Sequence, residues 1–146
     1  MNRRTVIGAL GAMAAAGIAA RAQAEHEHHA GHGAGSSPYA KLQVAASLCV
    51  ANGQVCLAHC IRLLGQGDKG MADCAAAVDQ MLAVCGALQD LAGQGSTLTP
   101  ALARVALEAC KRCGEACKPH IEHHAECKAC YVSCQECMEQ CKAAAG

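Results

Sequence analysis

The sequence predicts an all-α protein, an up-down-up-down four-helix bundle with a cysteine-lined core. Three observations carry that prediction. Apolar residues and cysteines recur at steps of three and four along four separate stretches. The stretches are divided by GQGDKG at 65 to 70, by GQGST at 93 to 97 and by Pro119. No stretch shows the two-residue alternation of a strand. Residues three and four apart share one face of a helix, and a strict 3-4-3-4 step is the seam that faces partner helices.

The first 24 residues stand apart from this pattern. Arg3 and Arg4 precede a charge-free apolar run from Val6 to Ala20, and Ala22-Gln23-Ala24 follows as a small-residue cleavage pattern. Residues 1–24 are therefore expected to be a cleaved signal peptide of twin-arginine type, too short in its apolar run to span a bilayer. Removal of Arg3, Arg4 and Arg21 shifts the balance of 12 basic and 12 acidic side chains to a net −3. No basic patch remains and the only aromatic side chains are Tyr39 and Tyr131, which excludes nucleic acid as a partner. No second apolar segment of membrane length is apparent, so no membrane span is expected after the signal is removed. Residues 25 to 37, EHEHHAGHGAGSS, read as a flexible histidine-rich segment that either binds metal weakly or serves as a solvated linker. The bundle is expected over 38–146.

The first helix is expected from Pro38, a first-turn proline, to Leu64. Its seam is Leu42, Ala46, Cys49, Gly53, Cys56 and Cys60, with a kink expected at Asn52-Gly53. The second runs from Met71 to Ala92 with the seam Met71, Cys74, Val78, Met81, Cys85 and Leu88. Thr99 is placed as N-cap and Pro100 in the first turn of the third, which ends near Cys117 and carries Cys110, Cys113 and Cys117. The fourth follows Pro119 and continues to about Ala144. Its seam reads His120, His123, Cys127, Cys130, Cys134, Cys137 and Cys141.

Thirteen cysteines in so short a chain suggest a disulfide scaffold at first sight. The count is odd, however, and the chain has enough Ala, Leu and Val to form a core without staples. Neighbouring cysteines also lie three or four apart on helices, with Cβ atoms roughly 5–6 Å apart, whereas a disulfide needs about 3.5–4.5 Å. A redox or disulfide-bearing structural protein is the lesser alternative. Thirteen thiolates in an apolar interior demand neutralisation. Zinc, at four ligands per ion, would bring about three ions; a soft monovalent ion approaches one per thiolate. Cu(I), favoured by thiolate and thioether ligands, is therefore the expected occupant, in multiple copies. The pairs Cys56/Cys60, Cys113/Cys117, Cys130/Cys134 and Cys137/Cys141 are each expected to clamp one ion, and zinc remains the alternative metal. No Ser/His/Asp set or paired carboxylates converge, so no enzyme is expected.

With its exported signal, its four helices and its CxxxC-studded seams over residues 38 to 142, the chain resembles the bacterial copper storage proteins. The resemblance implies a core filled with Cu(I) bound mainly by cysteine, a homo-oligomer of tetrameric type, and a copper-enzyme recipient such as a membrane methane oxidase. It also implies an exported location, in the periplasm or in the lumen of internal membranes. In this topology His59, Met71, Cys117, His120, His123 and His124 share one pole, expected to be the mouth. His59 and Met71 are its candidate ligands, because imidazole and thioether exchange Cu(I) more readily than thiolate does. Met81 and Met138 are read as core filler.

Overall fold

The computed structural model describes residues 37–146; the signal peptide expected over 1–24 and the histidine-rich residues 25–36 lie outside the described residues. The described residues form four helices: α1 Ala40–Gly65, α2 Ala72–Gly93, α3 Thr99–Cys117 and α4 Ala125–Ala145. Short 3-10 turns at Lys69–Met71 and Lys118–His120 lead into α2 and out of α3. No strand occurs among the described residues.

Two glycine-containing breaks end α1 and α2 in the same way. After α1, Gly67 adopts φ +94°; its N–H bonds Leu64 O at 3.0 Å and that of Asp68 bonds Leu63 O at 3.1 Å. After α2, Gly95 adopts φ +64°, with Gly95 N–H on Ala92 O and Ser96 N–H on Leu91 O. Both are Schellman caps, in which a left-handed residue satisfies the last carbonyls of the helix. They turn the chain back sharply and make consecutive helices antiparallel.

Helix order follows. Each helix packs on its two chain neighbours and α4 closes the ring on α1, while no Cα pair of the diagonal helices comes within 8 Å. A square bundle of this kind leaves an axial space that only side chains can fill. All expected seam residues of α1 and α2 are buried, as are Cys110, Cys113 and Cys117 on α3 and the five cysteines of α4. Leu42, Ala46, Leu88, Ala92 and Ala103 pack the end of the bundle formed by the start of α1 and the end of α2.

Three expectations need correction, and the glycine at position 53 gains a reason. Pro38 lies in the turn before α1, where Ala40 N–H bonds Ser37 O at 3.0 Å. Helical hydrogen bonding runs through Gly53 without a break. The glycine is there for close approach, since a Cβ would stand 2.6 Å from Met81 Cε and 2.8 Å from Leu82 Cδ2. Thr99 does not cap α3: Ser96 closes the preceding turn through Leu98 N–H and Thr99 N–H, so the cap falls on Leu98. Thr99 is buried with its Oγ1 unpartnered. Finally, His120 and His123 do not extend the seam of α4. Pro119 ends the helical run in a 3-10 turn, and His124 is extended at φ −132° before α4 begins.

By length and composition, Ala40–Gly65 and Lys69–Gly93 are both apolar enough to cross a membrane, contrary to the expectation that no such segment follows the signal. Their apolarity comes largely from alanine and cysteine, and their cysteine-bearing faces are turned into the bundle core.

Candidate metal centre

The heptad stripe brings all 13 cysteines into the interior, every one fully buried and every one a free thiol. The helices contribute unequally: α4 carries five, α1 and α3 three each, and α2 only Cys74 and Cys85. Nearest sulfurs are 3.5 Å apart for Cys74–Cys117 and Cys85–Cys110. They are 3.6 Å apart for Cys49–Cys134, 3.7 Å for Cys113–Cys130, and 3.8 Å for Cys56–Cys127. Cys49–Cys110, across the diagonal, and Cys137–Cys141, along α4, are both at 3.9 Å. A disulfide bond is about 2.05 Å long, so these are non-bonded thiols. Metal–sulfur bonds of about 2.3 Å put ligand sulfurs about 3.7–4.0 Å apart in tetrahedral or trigonal sites. The core sulfurs already have ligand spacing.

Four groups of mutually close sulfurs follow one another along the axis. Cys56, Cys60, Cys74 and Cys127 form the outer group; Cys56, Cys117 and Cys130, then Cys113, Cys130 and Cys134, form the middle; Cys49, Cys85, Cys110 and Cys137 form the inner one. Cys56 and Cys130 each belong to two groups and join the outer to the middle ones, and the 3.6 Å contact of Cys49 with Cys134 carries the string on to the inner group. Three of the four CxxxC pairs stay together: Cys56/Cys60 and Cys130/Cys134 share groups, and Cys137/Cys141 touch. Cys113 and Cys117 fall into different groups, because helix register carries one toward Cys134 and the other toward Cys56.

The thiols are not electrically alike. Hydrogen bonds from Cys110 and then Cys134 lower Cys49 to about 5. Those from Cys117 and Cys56 lower Cys74 to about 3. Cys130 is lowered by Cys113 and Cys117, and Cys137 by Cys110 and Cys141. Burial, then the charge of Cys74, raises Cys60 to about 12 and Cys127 to about 11. At Cys56 the lowering hydrogen bond of Cys117 is outweighed by Cys130, Cys74 and burial, and the thiol is raised. Each group thus contains at least one thiol poised as thiolate beside others that hold their protons. In the outer group Cys74 is lowered whereas Cys56, Cys60 and Cys127 are raised, so Cys74 gives up its proton first and the other three hold theirs. Since the ligand is the thiolate, a metal entering there displaces protons, and log K rises about one unit per pH unit for each proton released. Binding should therefore acidify a weakly buffered solution and weaken as pH falls from 7 to 5. A titration that releases no protons would show that the thiols were already ionised.

At the pole where α1 ends and α4 begins, His59 is largely buried. Its Nε2 lies 3.0 Å from His124 Nδ1, and its Nδ1 lies 3.1 Å from Glu126 Oε1 and 3.0 Å from Arg62 Nη2. The His120 ring stands 6.1 Å from that of His124, while His123 is exposed. Met71 is buried at the start of α2. Two imidazole nitrogens 3.0 Å apart have nearly the bite of a shared metal, given metal–nitrogen bonds of about 2.0–2.1 Å. The expected pole is thus assembled around His59 and His124. Glu126, which the sequence reading did not single out, carries no signal beyond lying beside Cys127. Met81, expected as core filler on the α2 seam, is fully buried in the core, and its Sδ lies 3.3 Å from Cys49 Sγ.

The chain matches the Csp, copper storage protein, family over residues 35–146. Comparison with individually characterised proteins gave no match. A helical bundle whose interior is a continuous string of buried, free sulfurs, matched over nearly all its described length, belongs to the copper storage protein family and holds its metal rather than catalysing a reaction.

Proposed function

We propose that this protein is a high-capacity store for Cu(I), taking many ions into the bundle core through cysteine thiolates. The observation that carries the reading is the axial string of 13 buried sulfurs, 12 of which have another sulfur 3.5–3.9 Å away. Only a monovalent soft ion brings such a string near neutrality without leaving buried anions. Metal enters at the pole of His59, His124 and Met71, where exchangeable imidazole and thioether lead to the outer thiols. The other pole is packed by Leu42, Leu88 and alanines. The protein is exported by the leader over 1–24, acts in the periplasm or in the lumen of internal membranes, and supplies a copper enzyme such as a membrane methane oxidase. Packing of the cysteine-bearing faces inside the bundle favours a mature chain that does not span a membrane. It functions as a homo-oligomer, tetrameric in keeping with the resemblance; the exposed Val44, Leu48 and Val55 along the outer face of α1 support self-association.

The two four-cysteine groups also suit tetrahedral zinc, and stoichiometry separates the metals. Reduced protein titrated with Cu(I) against a competing chelator should bind on the order of one ion per cysteine, about ten or more per chain. Saturation at about three or four ions would overturn the storage reading and favour zinc-type sites.

A further inference from the structure

We propose that Met81 is an interior copper ligand, its thioether serving as a fifth sulfur at the inner group of Cys49, Cys85, Cys110 and Cys137. The inference rests on the storage reading and names a ligand of a different chemical type within it. Met81 is fully buried in the middle of α2. Its Sδ lies 3.3 Å from Cys49 Sγ, closer than any thiol pair in the core. The opposite end of the side chain is seated by α1. Met81 Cε occupies the space that a Cβ at position 53 would take, 2.6 Å away. Gly53 therefore opens a notch for the methyl group and leaves the sulfur turned to Cys49.

A second observation concerns supply. Helix α2 brings only Cys74 and Cys85 to the core, 11 residues apart in the sequence. Met81 stands on the same stripe between them, seven after Cys74 and four before Cys85. It puts a sulfur on a wall of the bundle that is otherwise short of them. A thioether is a soft donor like thiolate but adds no negative charge. Beside four cysteines it completes the coordination of an ion without adding an anion that would itself need neutralising. On binding, the Cys49 thiolate and the Met81 lone pair bind the same ion with no change of oxidation state, and a proton leaves to solvent from each neighbouring thiol, Cys85 or Cys110, that joins them as a ligand.

The test uses the full chain with its methionines labelled by selenium, loaded with Cu(I) and read by X-ray absorption at the selenium edge. Wild type should show a copper neighbour around selenium, and Met81→Leu should lose a distinct part of it. Leucine keeps the volume nearly unchanged, and circular dichroism checks that the variant is helical. Should Met81→Leu fail to fold, Met71→Leu with Met138→Leu leaves Met81 as the only labelled methionine among the described residues, and its copper neighbour should persist. An undiminished signal in Met81→Leu, or none in the double variant, would overturn the assignment. Loading on the order of ten ions without a Met81 signal would remove Met81 alone. Saturation of wild type at about three or four ions would remove the storage reading itself.

Discussion

Loading with Cu(I) should raise the unfolding temperature of the reduced protein by more than about 20 °C, whereas the metal-free chain should already be helical. The second half follows from composition: α1 and α2 are alanine-rich, both end in Schellman caps, and Leu42, Val78, Met81 and Leu88 are buried side chains whose packing does not depend on a metal bond. Those side chains are few, and thiols fill a core less well than leucine, so the empty bundle should be marginal. A ligand that binds only the folded state adds about 4 kcal/mol per site at a thousandfold excess over its dissociation constant. In a domain of this size each kcal/mol moves the midpoint by about 4 °C, so a few sites already exceed the stated shift. Binding of copper by the thiols of the unfolded chain reduces the gain without cancelling it, because no preformed group of sulfurs survives unfolding. Circular dichroism melts with and without Cu(I) measure both halves. A metal-free chain that is coil and folds only on adding copper would refute the preformed bundle.

Cysteine pairs of equal number should differ in their effect on capacity. Cys113→Ala with Cys117→Ala removes one ligand from each of two three-sulfur groups, and should cost about two ions while the outer and inner groups still fill. Cys56→Ala with Cys130→Ala removes the two shared sulfurs and damages three groups, one of them twice. Its capacity should fall further, although the same number of thiols is lost. Each truncation also leaves a void about the size of a methyl group, worth about 1 kcal/mol, so the variants need checking for helicity before titration. Equal losses for the two pairs would contradict the bridging roles of Cys56 and Cys130, and loss of all binding in either would contradict a distributed store.

What the sequence by itself determined is everything that depends on one helix at a time. A step of three and four places residues on one stripe whatever surrounds it, so the cysteine seams, the helix bounds to within a few residues except at the start of α4, and the burial of all 13 thiols were legible from spacing. The glycine-rich breaks were legible for the same reason, because a left-handed residue after a helix is a local requirement. Tertiary structure decided which stripes meet, and at what height. That register splits Cys113 from Cys117, joins Cys49 to Cys110 across the diagonal, and makes Cys56 and Cys130 shared. It pairs His59 with His124 rather than His123, since the chain between Pro119 and α4 is not helical. It also makes Gly53 the notch that seats Met81. These are contacts between residues far apart in sequence, set by how four helices of fixed pitch slide and rotate against one another until their side chains interlock, and no local pattern encodes that choice.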